Sequence, residues 1–143
     1  MHDSNNLELG IIGNCHSSAL ISKTGSIDWC CLPEFDSPSV FGKILDNNIG
    51  GTFQIICDKN YIIEQEYLKN TCILVTKFSS GKNIFEIHDF MPRYLKKDNK
   101  YHSPAEVVRY FKLISGKPKF KINYDPKLEN SSCTTDTLIK DEF

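Results

Sequence analysis

What most constrains this chain is its punctuation: short β-type runs follow one another, cut apart by Gly, Pro, Asn, Asp and Ser, with no long helical pattern between them. The clearest unit lies near the start. Ser18-Ala19-Leu20-Ile21-Ser22 leads through Lys23-Thr24-Gly25 into Ser26-Ile27-Asp28-Trp29-Cys30-Cys31. A glycine in so tight a loop supplies the positive φ that a bulged hairpin turn requires. Leu9 to Ile12 precedes this hairpin; Thr52 to Cys57, Tyr61 to Tyr67, Thr71 to Ser79 and Asn83 to Phe90 follow it as further strands. Turns at Asp58-Lys59-Asn60 and Ser79-Ser80-Gly81-Lys82 separate the later ones.

Two stretches have a different character. Leu32-Pro33-Glu34-Phe35-Asp36-Ser37-Pro38 cannot continue a sheet ladder, because proline donates no hydrogen bond. Ser37 and Pro38 then fit the N-cap and first position of a helix, and Val40, Phe41, Ile44 and Leu45 recur at helical spacing. One short helix is expected there, stopped by Asn47-Asn48-Ile49-Gly50-Gly51. Residues 93–105 are expected to form an exposed loop. Beyond them Glu106 to Ile114 and Lys119 to Tyr124 are expected to pair across Ser115-Gly116-Lys117-Pro118. In the second of these, polar and apolar residues alternate strictly, the pattern of a strand with one wet face. About eight strands and one short helix specify an all-β fold, a sandwich or part of one.

Composition narrows the function classes. Apolar residues make up 40% and charged residues 24%, enough for a packed core. Seventeen basic residues against eighteen acidic ones give a net charge of −1, and no basic stripe suits a nucleic-acid backbone. No apolar run is long enough to span a membrane as a helix. Met1 to Asn6 lacks the basic start and apolar stretch of a secretory signal, so a cytoplasmic location is expected. In that setting the six cysteines are expected to be reduced thiols, mostly buried. No Cys-x-x-Cys occurs, and His16, His88 and His102 do not fall at zinc-ligand spacing, so no metal or other cofactor is expected.

The block from Gly25 to Phe41, Gly-Ser-Ile-Asp-Trp-Cys-Cys-Leu-Pro-Glu-Phe-Asp-Ser-Pro-Ser-Val-Phe, resembles the opening of bacterial and archaeal family 15 glycoside hydrolases, which are similar to glucoamylases and trehalases. Ile12-Gly13-Asn14 and Ala19-Leu20-Ile21-Ser22 match the part of the pattern that precedes it. Asn70-Thr71, His88-Asp89-Phe90-Met91-Pro92, and Val108-Arg109 with Ser115-Gly116 echo later parts in order, so the resemblance covers roughly residues 9 to 125. Glu34 departs from it, since relatives often carry a basic residue there.

The resemblance implies an N-terminal β-sandwich domain spanning residues 1–143, incomplete beside its relatives. It also implies a catalytic (α/α)6 barrel as partner, absent from this chain, that hydrolyses α-glucosidic bonds with inversion. Inversion needs two carboxyl groups roughly 6.5–9.5 Å apart, and the resemblance places both on the barrel. The chain is then a non-catalytic accessory domain. An independent carbohydrate-binding module, using Tyr61, Tyr67, Tyr94 or Tyr101, and an interaction domain for a separately encoded barrel are the alternatives.

Trp29, Phe35, Asp36 and Ser37 are the candidates for a substrate entrance or domain interface. For each there is a plainer reading. The lone Trp29 suits core or interface packing, and an Asp before Ser-Pro shapes its own turn. Asp28, Glu34 and Asp36 share no predictable face. His88 and Asp89 are strand neighbours that point apart, and Arg109 is expected to pair with an acidic residue across the sheet.

Overall fold

A computed structural model describes residues 8–133 and 135–138. The N-terminal segment Met1 to Asn6 and the last part of Thr137-Leu138-Ile139 lie wholly or partly outside the described residues. The fold is an all-β sandwich. Its first sheet has six strands, ordered β1 (Leu9–Gly13), β2 (Ser18–Ser22), β3 (Ile27–Cys31), β5 (Thr52–Ile56) and β12 (Lys121–Asp125), with β4 (Ser39–Phe41) also on β3. The second has four, ordered β11 (Val108–Ser115), β8 (Asn83–Phe90), β7 (Leu74–Ser80) and β6 (Ile62–Tyr67). All pairings are antiparallel, and β9 (Tyr94–Leu95) with β10 (Tyr101–His102) forms a small separate ribbon.

The expected hairpin forms. The Gly25 N–H donates to the Ser22 carbonyl at 2.9 Å, the Ser22 N–H to the Ser26 carbonyl at 2.9 Å, and Gly25 sits at φ +74°. A Cβ there would also stand 3.2 Å from the Phe78 ring of the facing sheet, so the position needs both the conformation and the missing side chain.

Between the sheets lie two clusters. Ile12, Ala19, Ile21, Ile27, Cys30, Phe41, Leu74 and Met91 form one; Ile55, Phe78, Phe85 and Ile87 form the other. A column of rings fills the second: Phe78 on Phe85 at 4.6 Å, Phe85 on Phe120 at 4.7 Å, Phe120 on Phe111 at 5.4 Å. Burial of this kind stabilises by about 25 cal/mol per Å² of apolar surface removed from water.

The helix expected after Ser37 does not form; among the described residues the one helical turn is a 3-10 turn at Leu128–Ser131. Ser39–Phe41 instead pairs with β3, Cys30 opposite Phe41 and Cys31 opposite Ser39. Phe41 enters the core at 5% exposure, whereas Ile44 and Leu45 are 40% and 71% exposed. The helical spacing therefore marked no common face. Val and Phe suit a strand as well as a helix, and a neighbouring edge decides between them. Ser37 does not cap a helix either: its Oγ accepts the Glu34 N–H at 3.0 Å.

The last expected pair is also different. β11 pairs with β8, Arg109 opposite Asp89, while β12 pairs with β5, Tyr124 opposite Phe53. The connection crosses from one sheet to the other because Phe120 is drawn into the ring column between them. The wet-face pattern of β12 is only half realised, since Ile122 and Tyr124 remain 51% and 46% exposed at the sheet edge. β7 begins at Leu74, later than expected, because Asn70 at φ 62° and the Thr71 Oγ1 bond to the Leu68 carbonyl at 2.8 Å hold a turn there.

Candidate functional site

Part of the motif, Asn14 with the loop 32–38 and Met91-Pro92, gathers at one end of the sandwich around a buried asparagine. Asn14, 2% exposed, follows β1; its Oδ1 accepts the N–H groups of His16 at 3.1 Å and Ser17 at 3.0 Å. Its Nδ2 donates to the Pro104 carbonyl at 2.9 Å, and its own carbonyl accepts the Ser103 hydroxyl at 2.9 Å. The side chain thus shapes an Asx-type turn, with Cys15 at φ 71°, and ties that turn to a segment ninety residues away. The Ser17 hydroxyl donates to the Cys31 carbonyl, and the Phe35 N–H donates to the His16 carbonyl at 3.0 Å. Three segments distant in sequence are therefore joined by one polar knot.

From this knot the loop 32–38 projects, entered through a cis Leu32–Pro33 bond. The Ser37 N–H returns to the Glu34 carbonyl at 3.2 Å, closing a tight turn with Phe35 and Asp36 at its tip. Phe35 is 60% exposed and Asp36 is exposed; Ser37 is half-buried and committed to the turn. Among the predicted candidates the structure brings Phe35, Asp36 and Ser37 together. Trp29 stands apart from them in the fold's layers. It lies opposite Leu20 on the outer face of the first sheet, half-buried and outside both core clusters.

Beside the knot, an open depression of about 470 Å³ is lined by Asn14, Cys15, Cys72, Pro92, Arg93 and Tyr101, among others. Arg93 lies 4.1 Å from the centroid of the Tyr101 ring, and Tyr94 meets His102 edge-on at 5.3 Å. Tyr94 and Tyr101 are 51% and 65% exposed. Tyr94 and Tyr101 are among the aromatics the sequence offers for a sugar contact, but Arg93 and the two-strand ribbon that groups them are not legible there, because residues 93–105 carry no periodicity that would show it. Asn14 sits one residue past a strand and three before a serine, which is the sequence signal for an Asx turn.

The ionisable groups elsewhere are committed to structure. Asp28 Oδ1 accepts the Ser26 hydroxyl at 2.6 Å and lies 3.6 Å from the Lys43 ammonium. His88 and Asp89 do point apart. His88 stands on the outer face, 2.9 Å from Glu86, whose carboxyl is held below its usual range by that hydrogen bond first. Asp89 faces the core, where burial pushes its carboxyl upward against the lowering influence of Arg109. Arg109 pairs with it across the sheet at 2.7 Å, as the sequence implies. Burial pushes the Cys30 thiol up to about 12 and Cys57 to about 11. All six cysteines are free; Cys15, Cys72 and Cys133 are exposed. Among the described residues no group of His, Cys, Asp and Glu is placed to hold a metal ion, and no helix is long and apolar enough to cross a membrane.

Comparison with known proteins agrees with the motif reading. The family described as trehalase-like, N-terminal, matches residues 3–142. A trehalase from Thermoplasma volcanium is 38% identical over 122 residues, covering 82% of this chain and 19% of that protein. A trehalase from Thermoplasma acidophilum is 39% identical over 112 residues, covering 75% and 18%. Trehalase 1 of Sulfolobus acidocaldarius is 45% identical over 84 residues, covering 59% and 15%. The chain thus spans about a fifth of the length of the first two relatives. No solved structure matches it at a significant level.

Proposed function

Because the chain belongs to the trehalase-like N-terminal family, we propose that it is the non-catalytic accessory domain of an enzyme hydrolysing α-glucosides, of the trehalase or glucoamylase type. One observation carries this reading: its similarity covers 82% of the chain but only 19% of a trehalase, which leaves the rest of such a protein to hold the chemistry. In this proposal the partner is an (α/α)6 barrel that carries both carboxyl groups of an inverting reaction. The surface offered to it is the end around Asn14, with Phe35 and Asp36 at the tip of one loop and Arg93 with Tyr101 beside the depression. Trp29, half-buried on an outer face, is a second candidate contact. The rigidity of the Asn14 knot supports the assignment, since an interface loop held by buried hydrogen bonds loses little entropy on docking. The proposed setting is the cytoplasm.

The test is glucose release from trehalose, maltose and maltooligosaccharides by the purified chain against a matched blank. No release is expected. Steady release that follows the protein through purification would overturn the proposal and return Asp28, Glu34 and Asp36 to consideration.

A second reading has one observation in its favour: Tyr94, Tyr101 and Arg93 beside the depression of about 470 Å³ have the chemistry of a sugar-stacking site. Titration calorimetry with trehalose and maltose separates the two. Saturable binding lost in Tyr101→Ala supports an independent carbohydrate-binding module. An interaction domain for a separately encoded barrel would instead bind that barrel and no free sugar.

A further inference from the structure

The edges of the two sheets are guarded unequally. At the β1 edge the Tyr67 hydroxyl accepts the Ile11 N–H at 2.8 Å and donates to the Ile11 carbonyl at 2.8 Å, so the central backbone groups a new strand would need are occupied. The β6 edge carries Glu64 and Glu66, both exposed. The β11 edge breaks register between Leu113 and Ser115, and such a bulge twists an edge away from pairing. The β12 edge has no bulge, and its charges, Lys121 and Asp125, are of opposite sign rather than a like-charged row. Its register with β5 runs unbroken from Lys121 opposite Ile56 to Asp125 opposite Thr52.

The surface along that edge is interior surface left open. Ile122 and Tyr124 lie opposite Ile55 and Phe53, on the face that packs toward the second sheet. Ile55 is 7% exposed, yet Ile122 and Tyr124 are 51% and 46% exposed. Across the seam Leu113, opposite the buried Phe85, is 63% exposed. Water meets an apolar strip that would be covered if the first sheet continued by one more strand.

We propose that the strand added there is β12 of a second copy, antiparallel about a two-fold axis through Asn123. The segment Lys121-Ile122-Asn123-Tyr124-Asp125 is self-complementary in that register. Lys121 meets the second copy's Asp125 on the outer face, twice by symmetry. Ile122 meets the second copy's Tyr124 on the inner face, also twice, and Asn123 meets its own copy. An isologous contact demands this property: each position must suit the position its symmetry mate presents. The charges also explain why a lysine-bearing edge is not simply guarded. Lys121 alone would repel a second lysine, but an aspartate four residues on converts repulsion into registration. Asp125 is already 2.8 Å from Lys127 within its own chain, in a half-exposed pair of the kind that exchanges partners readily. The first sheet would then run continuously through both molecules.

Sedimentation of the purified chain over a wide concentration range tests this, with Lys121→Asp, Asp125→Lys and the double reversal compared against it. The expected result is a reversible dimer that either single reversal weakens by roughly tenfold and that the double reversal restores. Circular dichroism and Trp29 fluorescence establish that the variants keep the fold. A monomer throughout the range overturns the proposal. So does association that ignores both reversals but disappears in Leu113→Lys, which would place the contact on β11. Failure of the double reversal to recover the dimer, with the fold intact, likewise rules out this register.

Discussion

Replacement of Arg109 by methionine removes the clamp that joins the two sheets while keeping much of the side chain's volume. The guanidinium donates to Asp89 at 2.7 and 3.1 Å, to the Phe53 carbonyl at 3.0 Å and to the Gly25 carbonyl, and lies 4.7 Å from the centroid of the Phe53 ring. Asp89 belongs to β8, Phe53 to β5 and Gly25 to the first hairpin, so one side chain holds both layers. Methionine leaves the Asp89 carboxylate buried without its counter-charge, which costs about 3–5 kcal/mol. Two carbonyls also lose their donor, at about 1–3 kcal/mol each where water cannot replace it. Against a typical total of about 5–15 kcal/mol, the expected loss of at least about 4 kcal/mol leaves the variant marginal at neutral pH.

Acid should rescue it. Burial already raises the Asp89 carboxyl, and Arg109 opposes that rise most, through its hydrogen bonds and its charge. Without Arg109 the folded carboxyl rises further above its unfolded value. Such a group takes up a proton on folding, so stability is greatest below the unfolded pKa and falls as pH climbs through the folded one. Urea unfolding followed by the fluorescence of Trp29, the single tryptophan, should show a large drop in midpoint at pH 8 and a smaller one at pH 5. The pair Asp89→Leu with Arg109→Met should lose less than the sum of its single variants, because neither then strands a charge. A loss below about 1 kcal/mol at pH 8 in Arg109→Met, or strict additivity in the double variant, would refute the clamp.

Three further outcomes follow from the same geometry. Tyr67→Phe should cost about 1–2 kcal/mol and speed amide exchange at Ile11, since its hydroxyl alone covers both backbone groups there. Iodoacetamide at pH 8 should label the exposed Cys15, Cys72 and Cys133 in the folded chain and spare Cys30, whose thiol at about 12 is almost wholly protonated; peptide mass spectrometry before and after denaturation reads this directly. Gly50→Ala should destabilise far more than Gly81→Ala by thermal melting. A Cβ at Gly50 would stand 2.2 Å from the Gly42 carbonyl oxygen, whereas Gly81, at φ +57°, has nothing within 4 Å and costs only about 1 kcal/mol of left-handed strain.

The ion pair shows how site and fold differ in legibility. That Arg109 would find an acid across the sheet could be read from its setting between Val108 and Tyr110, and alternation along Asn83 to Phe90 already separated His88 from Asp89. That the same guanidinium also reaches Gly25 and Phe53 could not, because those contacts run between layers and no local pattern encodes them. The end face divides in the same way. Proline placement marked loop 32–38 as irregular, but its attachment at the His16 carbonyl and the approach of Ser103 and Pro104 to Asn14 are long-range hydrogen bonds.

The sequence by itself determined the all-β class, the Lys23-Thr24-Gly25 turn, the separation of His88 from Asp89 on β8, and the family, because alternation, turn chemistry and motif spacing are all properties of neighbours along the chain. Only the tertiary structure decided that Val40 and Phe41 extend as a strand on β3, and that Lys121–Asp125 leaves its sequence neighbour β11 for β5. Short apolar runs are compatible with more than one local conformation and more than one partner. The choice falls to whichever arrangement buries Phe41 and Phe120 between the sheets, and that gain exists only once both layers are in place.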